Sequence, residues 1–240
     1  MTLHVQRPSA AELKLRMVSM RRWYQKLIAR APPFSLGVVY PGRQRAAMLS
    51  KALHELQSDP AKWERCRGFF KVLKIPAKTS LLREGEVAHS MYFVKEGCLR
   101  LWFNKDGKDV TFQFFLEDQA VASMESFLGG SPSLFSLESI EPTTAAVIGR
   151  QDWDRINEAY PNLRDFFMQI VLQRMESYGR LFLSRIKDSP RERYEELLRE
   201  HPEIVRRIPQ HYIASHLGVT PVSLSRIRNR IHKKAGAAIS

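Results

Sequence analysis

The chain has 240 residues, enough for one large or two small domains with real cores, and 44% of them are hydrophobic, a normal share for a globular protein. Cys66 and Cys98 are its only cysteines and form no Cys-x-x-Cys pair, which argues against a secreted disulfide framework. No apolar run is long enough to span a bilayer and the N-terminus has no apolar signal core, so a cytoplasmic protein with no membrane partner is expected. The formal net charge of +13 is unevenly spread. Residues 1–47 hold nine Lys/Arg and one acid, residues 48–183 seventeen and eighteen, and residues 184–240 twelve and six, with no acid after Glu203. A near-neutral middle and a basic C-terminal end fit a sensor or scaffold joined to a DNA-contacting module, against the plainer reading of a solvated basic surface.

Residues 1–47 read as a basic extension, expected to be poorly ordered. Met17–Arg30 could form a basic amphipathic helix that Pro32-Pro33 ends. Such a helix suits a membrane surface or a nucleic-acid arm; the favoured alternative is an extension that packs on nothing, with Met48 as an alternative start. From Leu49 to Phe70 the pattern is largely helical and Pro60 divides it; Leu49, Leu53, Leu56, Trp63, Phe69 and Phe70 are the expected buried residues.

Phe70 to Ile148 then carries short runs of β-formers: 72–76, 80–83, 91–94, 99–103, 110–115 and 145–148. Breaks fall at Glu84-Gly85-Glu86, Glu96-Gly97 and Asp106-Gly107, the last between two alternating runs and so a hairpin signal. Many short strands at regular spacing predict a β-roll or jelly roll over 48–160 with flanking helices.

Pro161-Asn162 opens a helix expected over 161–187. Leu163, Phe166, Phe167, Ile170, Val171, Met175, Tyr178, Leu181, Phe182 and Ile186 give it a wide apolar stripe. One side could cover the roll and another pair with a second chain; the alternative is a helix buried within its own chain. Ser189-Pro190-Arg191-Glu192 is a capping box that starts another helix, with Tyr194, Leu197 and Leu198 inward and His201-Pro202 at its end.

Residues 188–240 close on a helix-turn-helix pattern. Ile213, Ala214 and Leu217 give the first helix an apolar face, and Gly218 sits where the turn needs a left-handed residue. Thr220 can cap the second helix, and Pro221 suits its first position. Leu224, Ile227 and Ile231 fall on one side of that helix; Val222, Arg226, Asn229 and Lys233 fall opposite, flanked by Ser223, Ser225 and Arg230. An apolar side for the core and a short, polar, basic side for the major groove is what base reading requires. Arg226 could donate two bonds to a guanine edge, Ser223 could donate or accept, and Val222 could touch a thymine methyl. Gln210, Thr220 and Arg228 complete the expected DNA-contacting set. An ordinary αα-hairpin with a solvated outer face is the plainer alternative.

The order of roll, long helix, capped helix and helix-turn-helix resembles the cyclic-AMP receptor / fumarate-nitrate regulator (Crp/Fnr) family of bacterial transcription factors. The likeness rests on Leu82–Glu86 with Met91–Gly97, on Gly107-Lys108 in its hairpin, and on Pro209–Ala214 through Leu224–Arg228, and covers about residues 65–232. The resemblance implies an α+β fold: an N-terminal β-roll sensor domain, a long dimerisation helix and a C-terminal winged helix-turn-helix. It also implies a homodimer on double-stranded DNA, on an inverted repeat, with RNA polymerase as a further partner for an activator.

In the resemblance, an effector sits inside the roll, and the matching stretch here is Val121–Phe127. Ser123, Met124, Glu125, Phe127 and Ser133 are the candidate pocket residues. The cyclic-nucleotide members hold their ligand with a carboxylate on the ribose and an Arg on the phosphate. Ser123 stands about where that carboxylate would be and Ser133 about where the Arg would be; no Arg lies between Arg100 and Arg150. A buried phosphate without a cation is poorly held, so the effector is expected not to be cyclic AMP. Two cysteines cannot supply the four thiolates of an iron–sulfur cluster. His89 and Cys98 are conceivable haem ligands, although a lone loop His is more often at the surface. The position after Pro221, where the commoner family pattern has Glu, is Val222, which cannot accept from a cytosine amine, so the familiar operator is not assumed.

Three functions compete. The leading one is a dimeric DNA-binding regulator with a β-roll sensor, with or without an effector. A cupin-like metalloenzyme would need clustered His and Glu ligands, and the roll has one histidine, His89. A protein-binding module is opposed by the acid-free basic end. No nucleophile–base arrangement, phosphate-binding glycine loop or metal spacing occurs in the sequence, and no enzymatic activity is expected.

Overall fold

A computed structural model describes residues 58–237. The extension 1–47 and the expected helix residues Leu49, Leu53 and Leu56 lie outside the described residues. A short helix α1 (Pro60–Cys66) and a 3-10 turn (Arg67–Phe69) lead into eight strands. These are β1 (Phe70–Ile75), β2 (Ser80–Leu82), β3 (Ser90–Glu96), β4 (Leu99–Lys105), β5 (Lys108–Phe115), β6 (Ala120–Val121), β7 (Ser136–Ser139) and β8 (Thr143–Gly149), with helix α2 (Met124–Gly129) between β6 and β7. All pairings are antiparallel, in two four-stranded sheets ordered β1-β8-β3-β6 and β2-β7-β4-β5. This is the expected roll.

Its interior is built by alternation. Met91, Phe93, Leu99, Leu101, Phe115, Leu137, Ala146 and Ile148 form one buried cluster between the sheets, with Phe127 of α2 included. The β4–β5 hairpin turns on Asp106 (φ 53°) and Gly107 (φ 79°), a pair of left-handed residues that matches the strand twist. Gly97 (φ 97°) is required for a second reason: a Cβ there would lie 2.5 Å from the Pro142 carbonyl oxygen and 2.7 Å from the Thr143 Cα.

One irregularity positions the rest of the molecule. Leu101 pairs with Gln113, but Trp102 pairs with Thr111, so β5 carries one extra residue, Phe112. This β-bulge puts Thr111 on the same face as Phe114 and, across the ladder, as Arg100 and Trp102. That outer face is not left to water, as the next elements cover it.

After β8 the chain is helical: α3 (Arg150–Ala159), α4 (Pro161–Lys187), α5 (Pro190–Glu200), α6 (Pro202–Arg207), α7 (Gln210–Leu217) and α8 (Pro221–Ala237). Helix α4 has the bounds its sequence predicts. Phe167 packs on the roll core, where its ring meets Trp153 of α3 at 4.6 Å between centroids. The capping box forms: Ser189 Oγ accepts from Glu192 N at 3.3 Å, and Glu192 Oε2 accepts from Ser189 N at 2.7 Å.

A second buried cluster joins the roll to the C-terminal helices. Phe114, Leu116 and Ile140 of the roll pack with Leu181, Tyr194, Leu197, Ile204, Ile208, Ile213, Ala214, Leu217 and Leu224. Two sequence expectations are corrected here. No strand follows β8 among the described residues, so the helix-turn-helix lacks the expected β-wing there; Pro202 starts a helix at 202–207, and the basic tail continues as helix to Ala237. Leu198, expected inward, is 37% exposed: it sits about 100° round the helix from Leu197, at the edge of the buried side that Tyr194 and Leu197 occupy. No described helix is long and apolar enough to cross a membrane.

Candidate nucleic-acid interface and roll interior

Helix α8 takes its orientation from local chemistry. Gly218 (φ 69°) ends α7 in the left-handed region, and Arg193 Nη2 donates to the Leu217 carbonyl at 3.0 Å, satisfying a helix-end acceptor. Thr220 Oγ1 accepts from Ser223 N at 3.1 Å, which is the expected N-cap. Leu224 is fully buried, and Ile227 and Ile231 pack against the same cluster. Val222 is 61% exposed, and Ser225, Arg226, Asn229 and Arg230 are exposed with it.

The expected reading residues thus share an open face, with three refinements. Arg228 is half-buried with its Nε enclosed and unbonded, because it follows Leu224 by four residues and leans to the packed side. Gln210 is half-buried at the start of α7 with its Oε1 enclosed and unbonded. Ser223 is half-buried and its hydroxyl accepts from Thr220 at 3.0 Å, so it serves the cap as well as the face. Lys233 lies on α8, outside the residues whose side chains are described.

The inner candidates also come together. Ser133 Oγ lies 2.7 Å from Ser123 Oγ, and Ser123 Oγ donates to Glu125 Oε1 at 2.5 Å. Ser133 Oγ also meets the Phe135 carbonyl at 2.6 Å. Ser123 and Ser133 are buried, and their hydroxyls are satisfied by one another and by Glu125. Phe127 is 1% exposed within the core, so it supports the roll from inside, and Met124 packs half-buried beside it. Over this site the rings of Phe112 and Phe135 stack at 4.7 Å, and Tyr178 of α4 meets Phe112 edge-on at 4.9 Å. Burial raises the Tyr178 hydroxyl above its ordinary pKa.

Sequence reasoning passed over two guanidinium groups near this region. Arg150 Nη1 donates to the carbonyls of Phe127 and Leu128, while its Nε pairs with Asp154 at 2.9 Å. Arg174 reaches in from α4: its Nη2 donates to the Ala120 carbonyl at 2.9 Å, its guanidinium lies 5.1 Å from the Phe115 ring centre, and its Nη1 is enclosed and unbonded. The signal was available: Arg174 falls three residues after Val171 and four before Tyr178, on the apolar stripe. His89 is exposed whereas Cys98 is fully buried, with its thiol pushed well up by burial, and this does not fit an axial haem pair. Among the described residues no group of three or more His, Cys, Asp or Glu could hold a metal ion.

A third set of residues, not anticipated from the sequence, lies where α7 meets the roll. Arg100 is 1% exposed, and each guanidinium nitrogen has a partner. Nε donates to Glu138 Oε1 at 2.9 Å, Nη1 to Thr111 Oγ1 at 3.1 Å and Nη2 to Asp109 Oδ2 at 2.9 Å. Its guanidinium carbon lies 4.1 Å from the centre of the Tyr212 ring of α7. Ser215 of α7 accepts from Thr111 N at 3.2 Å, and the His216 ring lies 5.3 Å from Phe114. Nearby, Arg207 of α6 forks onto Glu117 with two 2.8 Å bonds and also reaches Glu141; the guanidinium holds the Glu117 carboxyl below its ordinary pKa.

Comparison with known proteins agrees with this architecture. Residues 72–160 match the family model of the cyclic nucleotide-binding domain. No curated protein matches the chain. Among solved structures, the chain is similar to FixK2 from Bradyrhizobium japonicum, with 17% identity and TM-score 0.60 over 69% of this chain and 86% of that one. It is similar to a regulator of the crp/fnr family from Eubacterium rectale, with 16% identity and TM-score 0.61 over 75% and 87%. It is also similar to the c-di-GMP responsive global regulator CLP of Xanthomonas campestris, with 16% identity and TM-score 0.59 over 74% and 93%. The likeness to Crp/Fnr regulators drawn from the sequence is borne out in the fold.

Proposed function

We propose that this chain, a cyclic nucleotide-binding-like roll followed by a helix-turn-helix in the Crp/Fnr fold, is a homodimeric, sequence-specific DNA-binding transcription regulator and not an enzyme. The observation that carries the reading is the face of α8. Val222, Ser225, Arg226, Asn229 and Arg230 are exposed together while Leu224 is fully buried opposite, on a helix held by a Gly218 turn and a Thr220 cap. Selection from a random DNA library followed by salt titration tests it. An inverted repeat with half-sites one helical turn apart is expected, with affinity falling linearly in log salt. No enrichment by pure protein or in cell extract overturns the reading.

Base reading by Arg226 gives a sharper expectation. Arg226→Ala should erase about ten- to hundredfold of discrimination between the selected sequence and one changed at a single guanine, leaving weak, salt-sensitive binding. Equal loss on all sequences would assign Arg226 to phosphate contact instead.

Dimerisation is supported by what α4 leaves uncovered. Met175, Phe182 and Ile186 are 64%, 66% and 68% exposed, and Met168, at 39%, continues the seven-residue spacing through Met175 to Phe182. Gly179, exposed between Met175 and Phe182, would let a second helix approach closely. A bare apolar stripe of this length on a helix is a partner surface. Phe182→Glu should halve the mass in sedimentation and weaken binding to the inverted repeat about 10²-fold or more, with half-site binding unchanged. An unchanged mass would remove the seam from α4.

The roll interior argues against cyclic AMP as an effector. The Ser123 and Ser133 hydroxyls are spent on each other and on Glu125, and Arg174 enters from α4, not from the loop that would carry a phosphate. Titration calorimetry with millimolar cyclic AMP should show no binding heat.

A further inference from the structure

We propose that the Arg100–Tyr212 junction is the positioning device of the DNA-reading head: it fixes the orientation of α7 and α8 on the roll, and so sets which half-site spacing the dimer accepts. This rests on the DNA-binding reading above. The side of α7 that carries Tyr212, Ser215 and His216 is turned to the roll, while Val222, Ser225, Arg226 and Asn229 of α8 stay exposed. The docked head therefore presents its reading face outward.

The junction is unusually directional for a contact between two modules. A greasy interface tolerates sliding, but a guanidinium fork bonded through three nitrogens has one orientation. Glu138 on β7, Thr111 and Asp109 on β5 and the stem on β4 hold that fork from three strands. The Tyr212 ring faces it, with the guanidinium carbon 4.1 Å from the ring centre, and Ser215 fastens the same helix one turn further on, to both the amide and the hydroxyl of Thr111. The β5 bulge at Phe112 makes this possible, because without the extra residue Thr111 would point into the roll. The junction contacts that specify head orientation come from strands β4, β5 and β7. A dimer whose heads are held this way reads two half-sites at a fixed separation and phase. Inserting base pairs between half-sites shifts one by about 3.4 Å and 35° per pair, which a rigid head does not follow.

The test uses the full-length protein and the inverted repeat recovered by selection, with spacers lengthened by one and two base pairs. Wild-type protein is expected to favour the selected spacer about tenfold or more over the longer ones. Tyr212→Ala, which removes the stacked ring and leaves the buried ion pairs in place, should bring that ratio to within about twofold while single half-site affinity is kept. Tyr212→Phe, which retains the ring, should restore the wild-type ratio. The ratio does not depend on how much protein is folded, so a merely structural role for Tyr212 would lower total binding and leave it untouched. A Tyr212→Ala protein that binds DNA with the wild-type spacer ratio overturns the junction and spares the regulator reading. A wild-type protein that enriches no DNA overturns both.

Discussion

Replacing Arg100 by methionine is expected to destabilise the full-length protein by about 3 kcal/mol, the low end for breaking a buried ion pair from one side. Methionine fills much of the stem volume but leaves the Glu138 carboxyl, at 16% side-chain exposure, without its guanidinium partner. It also strips Thr111 Oγ1 of its guanidinium donor. Asp109 behaves differently. Its carboxylate is 47% exposed and rehydrates when the partner goes, so Asp109→Asn should cost less than about 1 kcal/mol. Urea unfolding of the three proteins reads both values from the midpoint at constant slope. The double change Arg100→Met with Glu138→Met should recover a large part of the loss, since two apolar side chains leave no buried charge behind. Equal stability of the single and double variants would mean that Glu138 escapes to water and that the pair is not enclosed in solution.

The same residue shows where legibility in the sequence stopped. The alternation Leu99-Arg100-Leu101 predicts that Arg100 points away from the roll interior, and it does. Nothing local to β4 says that the outward side is covered by a helix more than a hundred residues later in the chain. The helix-turn-helix was legible because its signals are local: a left-handed glycine, a cap and two faces within twenty residues. The capping box at Ser189 and the Asp106-Gly107 turn were legible for the same reason. Strand β7 was not, because Ser136–Ser139 sits in a serine- and proline-rich stretch that reads as loop and becomes a strand through its pairing with β2 and β4. Helix α3 was hidden by its polarity, with only Trp153 and Ile156 buried in ten residues. The candidate pocket was located by its serines, but their mutual satisfaction depends on Ser123 and Ser133 meeting across ten residues of chain, a distance that no spacing rule encodes.

Acidification should loosen the head from the roll before the roll itself gives way. His216 is 4% exposed beside Phe114, and burial, first, with the positive charges of Arg185 and Arg193 behind it, lowers its pKa from 6.5 to about 3, against the pull of the Thr111 and Phe112 backbone. A base whose folded pKa is depressed binds fewer protons folded than unfolded between pH 3 and 6.5, so stability falls as pH drops through that window and is steady above it. Linkage over that range amounts to about 2 kcal/mol lost by pH 5 relative to pH 7. The loss falls on the seam where α7 and β5 meet, because that is where the imidazole must find water to charge. His216→Gln keeps a polar planar side chain without a titrating proton. Its stability should be nearly flat from pH 7 to pH 5 as far as this site is concerned, and its difference from wild type in unfolding free energy, read from urea titrations, should shrink by about 2 kcal/mol over the same range. Parallel pH profiles for the two proteins would place the His216 ring in contact with solvent and remove it from the seam. A converging profile, with amide exchange rising first on Gln210–Leu217 and on β5, would identify the head–roll contact as the weakest cooperative unit of the molecule.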